Sequence, residues 1–254
     1  MESAHPPGKV HLNEVYSDSQ AGGHAGIMIF EGNRLLKKCK QNEISFFEWM
    51  HLQADPIMED FKKIAPEFYG IEERNGSRYV VLENLLQGYD HPNIMDCKLG
   101  KITWTSHHTE EKIRNQEAKD FLTTTGSLGF RISGLVVKSS SGEKIEQLVK
   151  KDAFYKITAE NIHDYFRKIV EMNGEIQQDI VREFINETEK IKSWFERQTL
   201  KTFKASSVLY IVGKNGKHQV RYIDFAHAED ADGLHDANVI EGLENTINIW
   251  KRLL

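Results

Sequence analysis

The sequence predicts an α+β chain in two lobes: a small strand-rich lobe over 21–83 and a larger α+β lobe over 92–254. Three observations predict it. Turn dipeptides flanked by short apolar runs crowd the first part of the chain, the pattern of β-hairpins. The later part alternates such runs with long stretches of helical spacing. Between them, Glu83-Asn84-Leu85-Leu86-Gln87-Gly88 follows a strand-like run and reads as a connection, placed at 84–91.

Taken in order, residues 1–20 are polar, carry Pro6, Pro7 and Gly8, and read as a flexible lead-in. Gly22, Gly23 and Gly26 make a glycine-rich turn. Residues 27–30 and 34–39 read as strands joined through Glu31-Gly32-Asn33. Over 42–54, Ile44, Phe47, Met50 and Leu52 recur at roughly helical spacing, and Pro56 stops that helix or opens the next. Residues 68–71 and 78–82 read as strands around Asn75-Gly76, a strong turn dipeptide. Residues 109–124 form a charged helical stretch. A strand run at 128–138 turns at 139–142 into 144–149. Segments 159–172 and 175–200 are helical by periodicity, with Gly174 between them. Residues 207–212 and 220–223 make a hairpin across Asn215-Gly216, and 238–253 closes the chain as a helix. This order suits an ATP-grasp-like or a protein-kinase-like fold, and the pattern alone does not choose.

Composition narrows the function classes. A hydrophobic fraction of 39% suffices for a core, and a net charge of −5 gives no global attraction to nucleic acid or acidic membranes. An anionic ligand must therefore meet a local basic patch. Two cysteines, Cys39 and Cys97, argue for free thiols in a reducing compartment. No basic start followed by an apolar run opens the chain, and no stretch reaches the ~20 apolar residues of a spanning helix. These features lead us to expect a cytoplasmic protein, with the nucleus as an alternative, no membrane insertion and a monomeric state. The scattered histidines form no zinc pattern, and G-x-S-x-G is absent.

Two acidic segments carry the chemistry. Pro92-Asn93-Ile94-Met95-Asp96-Cys97-Lys98-Leu99-Gly100 reads P-x-x-x-D-x-K-x-G. On an extended segment Asp96 and Lys98 point to the same side. Asp96 can accept or orient a hydroxyl proton and Lys98 can neutralise phosphate oxygens, the positioning work that phosphoryl transfer needs. Asp224 ends a strand in Arg221-Tyr222-Ile223-Asp224-Phe225, and the hairpin brings it near Ser207. Hard oxygen ligands of this kind suit Mg²⁺, with Mn²⁺ as an alternative. Lys37 or Lys38 can reach a nucleotide phosphate, held by Glu43 or Glu48. The glycine-rich turn is either a phosphate-approaching loop or a plain hairpin. Basic residues gather at Lys98, Lys101, Lys112 and Arg114, at Arg131, and at Lys150, Lys151 and Lys156. His107 and His108 are either phosphate contacts or helix-entry residues.

P-x-x-x-D-x-K-x-G, with Ser206-Ser207-Val208-Leu209, Ile223-Asp224-Phe225 and Gly242-Leu243-Glu244-Asn245, resembles the inositol polyphosphate kinase family from about residue 22 to 253. The resemblance implies a two-lobed kinase-like fold with ATP between the lobes. It implies Gly22, Gly23, Lys37, Glu43, Glu83, Leu85 and Asp224 on the nucleotide side, and Asp224 and Ser207 as metal ligands. Asp96 and Lys98 would be catalytic, and Lys98, Lys101, Arg131, Lys151 and Lys156 would contact the acceptor within a segment at about 101–170. Thr103 to His108 departs from the family pattern. The compact chain and its Leu128-Gly129-Phe130-Arg131 segment lead to the expectation of inositol hexakisphosphate as acceptor and a diphosphoinositol product. A multikinase and a trisphosphate kinase are the alternatives, and a non-catalytic inositol phosphate binder is the alternative of another class. A protein kinase is disfavoured by the missing H-R-D and D-F-G sets.

Overall fold

The computed structural model describes residues 28–139, 141–148 and 154–254. The lead-in at 1–20, the turn holding Gly22 and Gly23, and Lys151 lie outside the described residues. The chain begins with β1 (Met28–Glu31) and β2 (Arg34–Lys38), then α1 (Gln41–Leu52) and α2 (Pro56–Ile64), then β3 (Phe68–Arg74) and β4 (Ser77–Glu83). The four strands make one antiparallel sheet in the order β1-β2-β4-β3. Local chemistry explains its turns. Asn75 and Gly76 both take positive φ, 50° and 69°, as a tight hairpin turn requires. Pro56 opens α2 rather than ending α1, with Asp55 as the cap: its carboxylate accepts from Met58 N at 3.0 Å.

The larger part contains β5 (Asn93–Leu99), α3 (Glu110–Leu122), α4 (Thr124–Leu128), β6 (Phe130–Lys138), β7 (Lys144–Leu148) and α5 (Ile162–Val170). It continues through β8 (Glu171–Met172), β9 (Glu175–Ile176), α6 (Gln178–Arg197), β10 (Lys201–Phe203), β11 (Ser207–Val212), β12 (His218–Ile223), β13 (Ala228–Asp230) and α7 (Ala237–Lys251). Five strands form an antiparallel sheet in the order β12-β11-β5-β6-β7, so the P-x-x-x-D-x-K-x-G strand is central.

Two local expectations change, and one pairing was not foreseen. Leu128 ends a helical turn instead of starting a strand, because Gly129 at φ +67° caps α4 in the left-handed region. Asn173 and Gly174, at φ 54° and 82°, turn a miniature hairpin of β8 and β9, so α6 starts later than its periodicity suggested. The pairing of β10 with β13 has no signature in a segment of three residues.

Strand alternation divides the central sheet. Met95, Cys97, Leu99, Phe130, Ile132, Tyr210, Val220 and Tyr222 enter the main core against Phe166, Phe184 and Trp250 of the helices. On the other face, Ile94, Val136 and Ile211 pack with Leu85 of the connection, and Leu209 and Ile223 border them. Phe225, which follows Asp224, is 1% exposed and meets Phe46 (5.0 Å), Phe47 (5.4 Å) and Phe61 (5.3 Å) between ring centroids. One aromatic cluster thus joins α1 and α2 to the end of β12.

The terminal helix locks the loop beyond the motif. Gly100 N donates to Gly129 O at 2.8 Å, and Asn238 of α7 exchanges two hydrogen bonds with Ile102, at 2.9 and 3.1 Å. Gly242 of α7 lies directly on the Gly129 carbonyl, where a Cβ would collide. Gly242→Ala should therefore destabilise the fold by about 1–3 kcal/mol, against the ~1 kcal/mol that alanine gains in an unobstructed helix. A urea melt checks this, and unchanged or raised stability would mean that the loop yields freely.

Candidate active site

The cleft face of the sheet is built by register. Lys98 lies opposite Ser207 on β11 and Arg131 on β6, while Asp96 lies opposite Leu209 and Gly134. The β5–β6 register shifts between Asp96 and Cys97, leaving Ser133 as the extra residue of a bulge. That bulge turns the Ser133 hydroxyl onto the motif: Ser133 Oγ donates to Asp96 Oδ1 at 2.7 Å. Lys98 Nζ donates to the Ala205 carbonyl at 2.9 Å.

Asp224 sits just past β12 at φ +68°, a left-handed conformation uncommon for a residue with a Cβ. Lys37 Nζ bridges Asp224 Oδ1 and Glu43 Oε1, each at 2.7 Å. This contact decides between the neighbours. Lys38 is exposed, and Glu48 pairs with Arg78 on the surface. Ser207 Oγ is fully buried without a hydrogen-bond partner, whereas its neighbour Ser206 accepts from Tyr222 Oη at 2.6 Å.

The two aspartates are driven apart electrostatically. Burial pushes the Asp96 carboxyl up and the negative Asp224 adds to this, outweighing Lys98 and the Ser133 hydroxyl. Burial also acts on Asp224, but Lys37 and Lys98 outweigh it and hold that carboxyl below its ordinary range. Burial would lower Lys37, yet Asp224 and Glu43 outweigh it and keep the ammonium charged. The site therefore offers a firmly ionised carboxylate beside one with raised proton affinity, the usual division between an electrostatic anchor and a base.

Positive charge gathers beside this pair around His108 and Lys112, which the sequence offered as candidates, and His227, which it did not. His227, three residues past Asp224, stacks edge-on against His108 with ring centroids 5.1 Å apart. Lys112 Nζ lies 2.9 Å from His108 Nε2. Burial first, then His108, Lys112, Lys98 and Lys40, lower His227 to about 4. His108 Nδ1 is buried without a partner. Such a crowd of cations and imidazoles in a chain of net charge −5 is a local anion site. The signal for His227 was its closeness to Asp224 in the chain.

The other expected acceptor residues make contacts within the protein. Arg131 is 4% exposed, and its Nη1 donates to Asp120 and Thr125, so the contacts it makes here are structural. Lys101 pairs with Glu241 of α7 at 2.6 Å, and Lys156 is exposed ahead of α5. On the nucleotide side, Glu83 ends β4, and the buried Leu85 accepts from Gln219 Nε2 through its carbonyl at 2.5 Å. A cavity of about 680 Å³ borders Glu83, Asn84 and Leu85. It opens along the edge strand β12 toward Glu183 and Glu187 and touches none of Lys37, Asp96, Lys98 or Asp224, so we do not equate it with the reaction site.

A divalent metal fits the residues present. The buried, unpartnered Ser207 hydroxyl and the ionised Asp224, whose side chain keeps 36% exposure, offer hard oxygens. Among the described residues no group of three or more His, Cys, Asp or Glu could hold a metal by itself. The imidazole generates a prediction. The folded state holds His227 near pKa 4 against 6.5 in the unfolded chain, so unfolding takes up a proton between those values and stability falls as pH drops through that window. His227→Gln should flatten this loss, giving a smaller Tm difference between pH 7.5 and pH 5 than the parent. Equal slopes in thermal melts would place His227 outside the cationic cluster.

Comparison with known proteins agrees with this geometry. The family model described as inositol polyphosphate kinase matches residues 79–251. Inositol polyphosphate multikinase alpha of Arabidopsis thaliana is 28% identical, the alignment spanning 97% of this chain and 96% of the relative. A solved inositol phosphate multikinase structure is 30% identical with a TM-score of 0.72, covering 84% of this chain and 99% of that one. The S. cerevisiae multikinase Ipk2, solved with ADP and Mn²⁺, shares the fold at a TM-score of 0.74 and 23% identity, over 87% of this chain and 99% of that one. With its motif strand, its paired aspartates and a family match over more than half its length, the chain belongs to the inositol polyphosphate kinase family.

Proposed function

We propose that this ATP-dependent kinase transfers the γ-phosphoryl group to a ring hydroxyl of a partly phosphorylated inositol, as a multikinase. The observation that carries this reading is Asp96: a buried carboxylate with raised proton affinity, held by Ser133 at 2.7 Å beside the ionised Asp224. An alcohol nucleophile must lose a proton, and a carboxylate of this kind is suited to accept it. A phosphate nucleophile, as in pyrophosphate formation, has no such need. The multikinase names of the relatives support the same choice, and the expected hexakisphosphate acceptor gains no support from them.

The residues divide the work. Asp224 and Ser207 would hold a divalent cation, which supplies charge neutralisation on the nucleotide phosphates. Lys37, fixed by Glu43, reaches the donor phosphate oxygens. Asp96 takes the hydroxyl proton. Lys98 acts electrostatically on both carboxylates and offsets charge on the transferring group. His227, His108, Lys112 and Lys40 hold the acceptor's phosphates, and each would gain charge-assisted hydrogen bonds there.

Asp224→Asn should lower kcat about 100-fold or more, since metal-linked charge neutralisation dominates phosphoryl transfer. Steady-state kinetics with Mg²⁺ titrated to saturation check this, and near-parental turnover would remove Asp224 from the metal site. Asp96→Asn should lower kcat on hydroxyl-bearing inositol phosphates by roughly 10²–10⁴-fold, the range of general-base removal. Mass spectrometry after incubation with ATP should show phosphoryl addition to a trisphosphate and none to the hexakisphosphate. Conversion of hexakisphosphate to a diphosphoinositol, undiminished in Asp96→Asn, would overturn the hydroxyl-acceptor reading.

A further inference from the structure

Helix α3 is anchored unusually. Its residues Phe121 and Leu122 are 85% and 61% exposed, and the one residue it buries is Asp120. Yet this helix carries Lys112, and its lead-in carries His108, both close enough to His227 to act on it electrostatically. Something other than apolar packing must hold the acceptor side of the cleft against the catalytic strand.

The polar contacts of Asp120 supply the tie. Arg131 Nη1 donates to Asp120 Oδ1 at 3.1 Å and to Thr125 Oγ1 at 2.8 Å, with both charged side chains at most 6% exposed. Thr103 Oγ1, from the loop after the motif, donates to both Asp120 oxygens at 2.9 and 2.7 Å. Gln116 Nε2 donates to the same Asp120 oxygen as Arg131 at 3.1 Å and to Thr103 Oγ1 at 2.5 Å. Three segments meet at this carboxylate, the loop after β5, α3 and β6, and α4 joins them through Thr125 on Arg131. Arg131 is also the β6 residue paired in register with Lys98, and Ser133, which holds Asp96, lies two residues further along the same strand.

We propose that the buried Arg131–Asp120 pair, with Thr103 and Thr125, is a positioning device that sets helix α3 and its phosphate-binding His108 and Lys112 at a fixed distance from Asp96 and Lys98. Arg131 acts through these groups and touches no reactant. A buried pair of this kind is a poor source of net stability, because desolvation offsets its attraction, but its directional hydrogen bonds specify one geometry. Acceptor orientation is where such a device acts, since small misplacements of a reacting group are costly in rate.

The inference rests on the proposed acceptor site, and the experiment separates the two. The double variant Asp120→Leu/Arg131→Met removes both charges while keeping apolar volume, which commonly preserves folding. With the folded fraction checked by thermal melt, it should raise the acceptor KM by roughly tenfold and lower kcat by a similar factor, from lost positioning. The KM for ATP should stay within about twofold, because the nucleotide side is untouched. Calorimetry with an inositol trisphosphate should show the same weakening of binding. A folded double variant with parental acceptor KM, kcat and affinity overturns the proposal, as does an equal loss on the ATP side. If the double variant does not fold, Thr103→Val decides: it keeps the ion pair and removes one tie, so a several-fold rise in acceptor KM supports the device and no change overturns it. A parental enzyme inactive on every hydroxyl-bearing inositol phosphate would instead sink the functional reading, while the calorimetric comparison would still test the anchor.

Discussion

Lys37 is the contact on which the site depends. Its ammonium lies 2.7 Å from Glu43 and 2.7 Å from Asp224, so one side chain joins the small sheet, helix α1 and the end of β12. The charge on Lys37 keeps Asp224 ionised, and the charge on Asp224 raises Asp96. Removing Lys37 would leave Glu43 and Asp224 without the cation they share. The aromatic cluster around Phe225 gives this ion bridge a rigid floor. It packs Phe46, Phe47 and Phe61 directly behind Asp224.

The central sheet serves two purposes by simple alternation. Its inner residues build the core with α5, α6 and α7, and its outer residues build the reaction surface. Rigidity of the first face is transmitted to the second, because each reactive side chain shares a strand with tightly buried neighbours. The two irregularities lie where chemistry needs them. A bulge aims Ser133 at Asp96, and a left-handed residue ends β12 at Asp224.

Charge is local in this protein. A net −5 chain binds no polyanion by its overall field, yet His227, His108, Lys112, Lys40 and Lys98 converge on one edge of the cleft. Burial first, and then the neighbouring positive charges, lower the proton affinity of His227. An acceptor bearing several phosphates would relieve the crowding, so ligand charge and site charge are complementary.

Much of this was legible in the chain. Period-two alternation placed Asp96 and Lys98 on one side of a strand, and the Asn215-Gly216 turn set Ser207 opposite Ile223, beside Asp224. Asn75-Gly76 fixed the small hairpin, and helical spacing located α1, α6 and α7 to within a few residues. Those features depend on neighbours a few residues apart, which is the range over which periodicity and turn chemistry act. The tertiary structure decided the rest. It supplied the physical reason for Lys37 over Lys38 and Glu43 over Glu48, which the resemblance had already implied, through a partner 187 residues away. It gave Arg131 a buried partner that no motif announced, because Asp120 returns to it on a separate helix. It also brought His227 to His108, on segments with no shared pattern. Which charges meet depends on how distant elements pack, and no local period in a sequence records that distance.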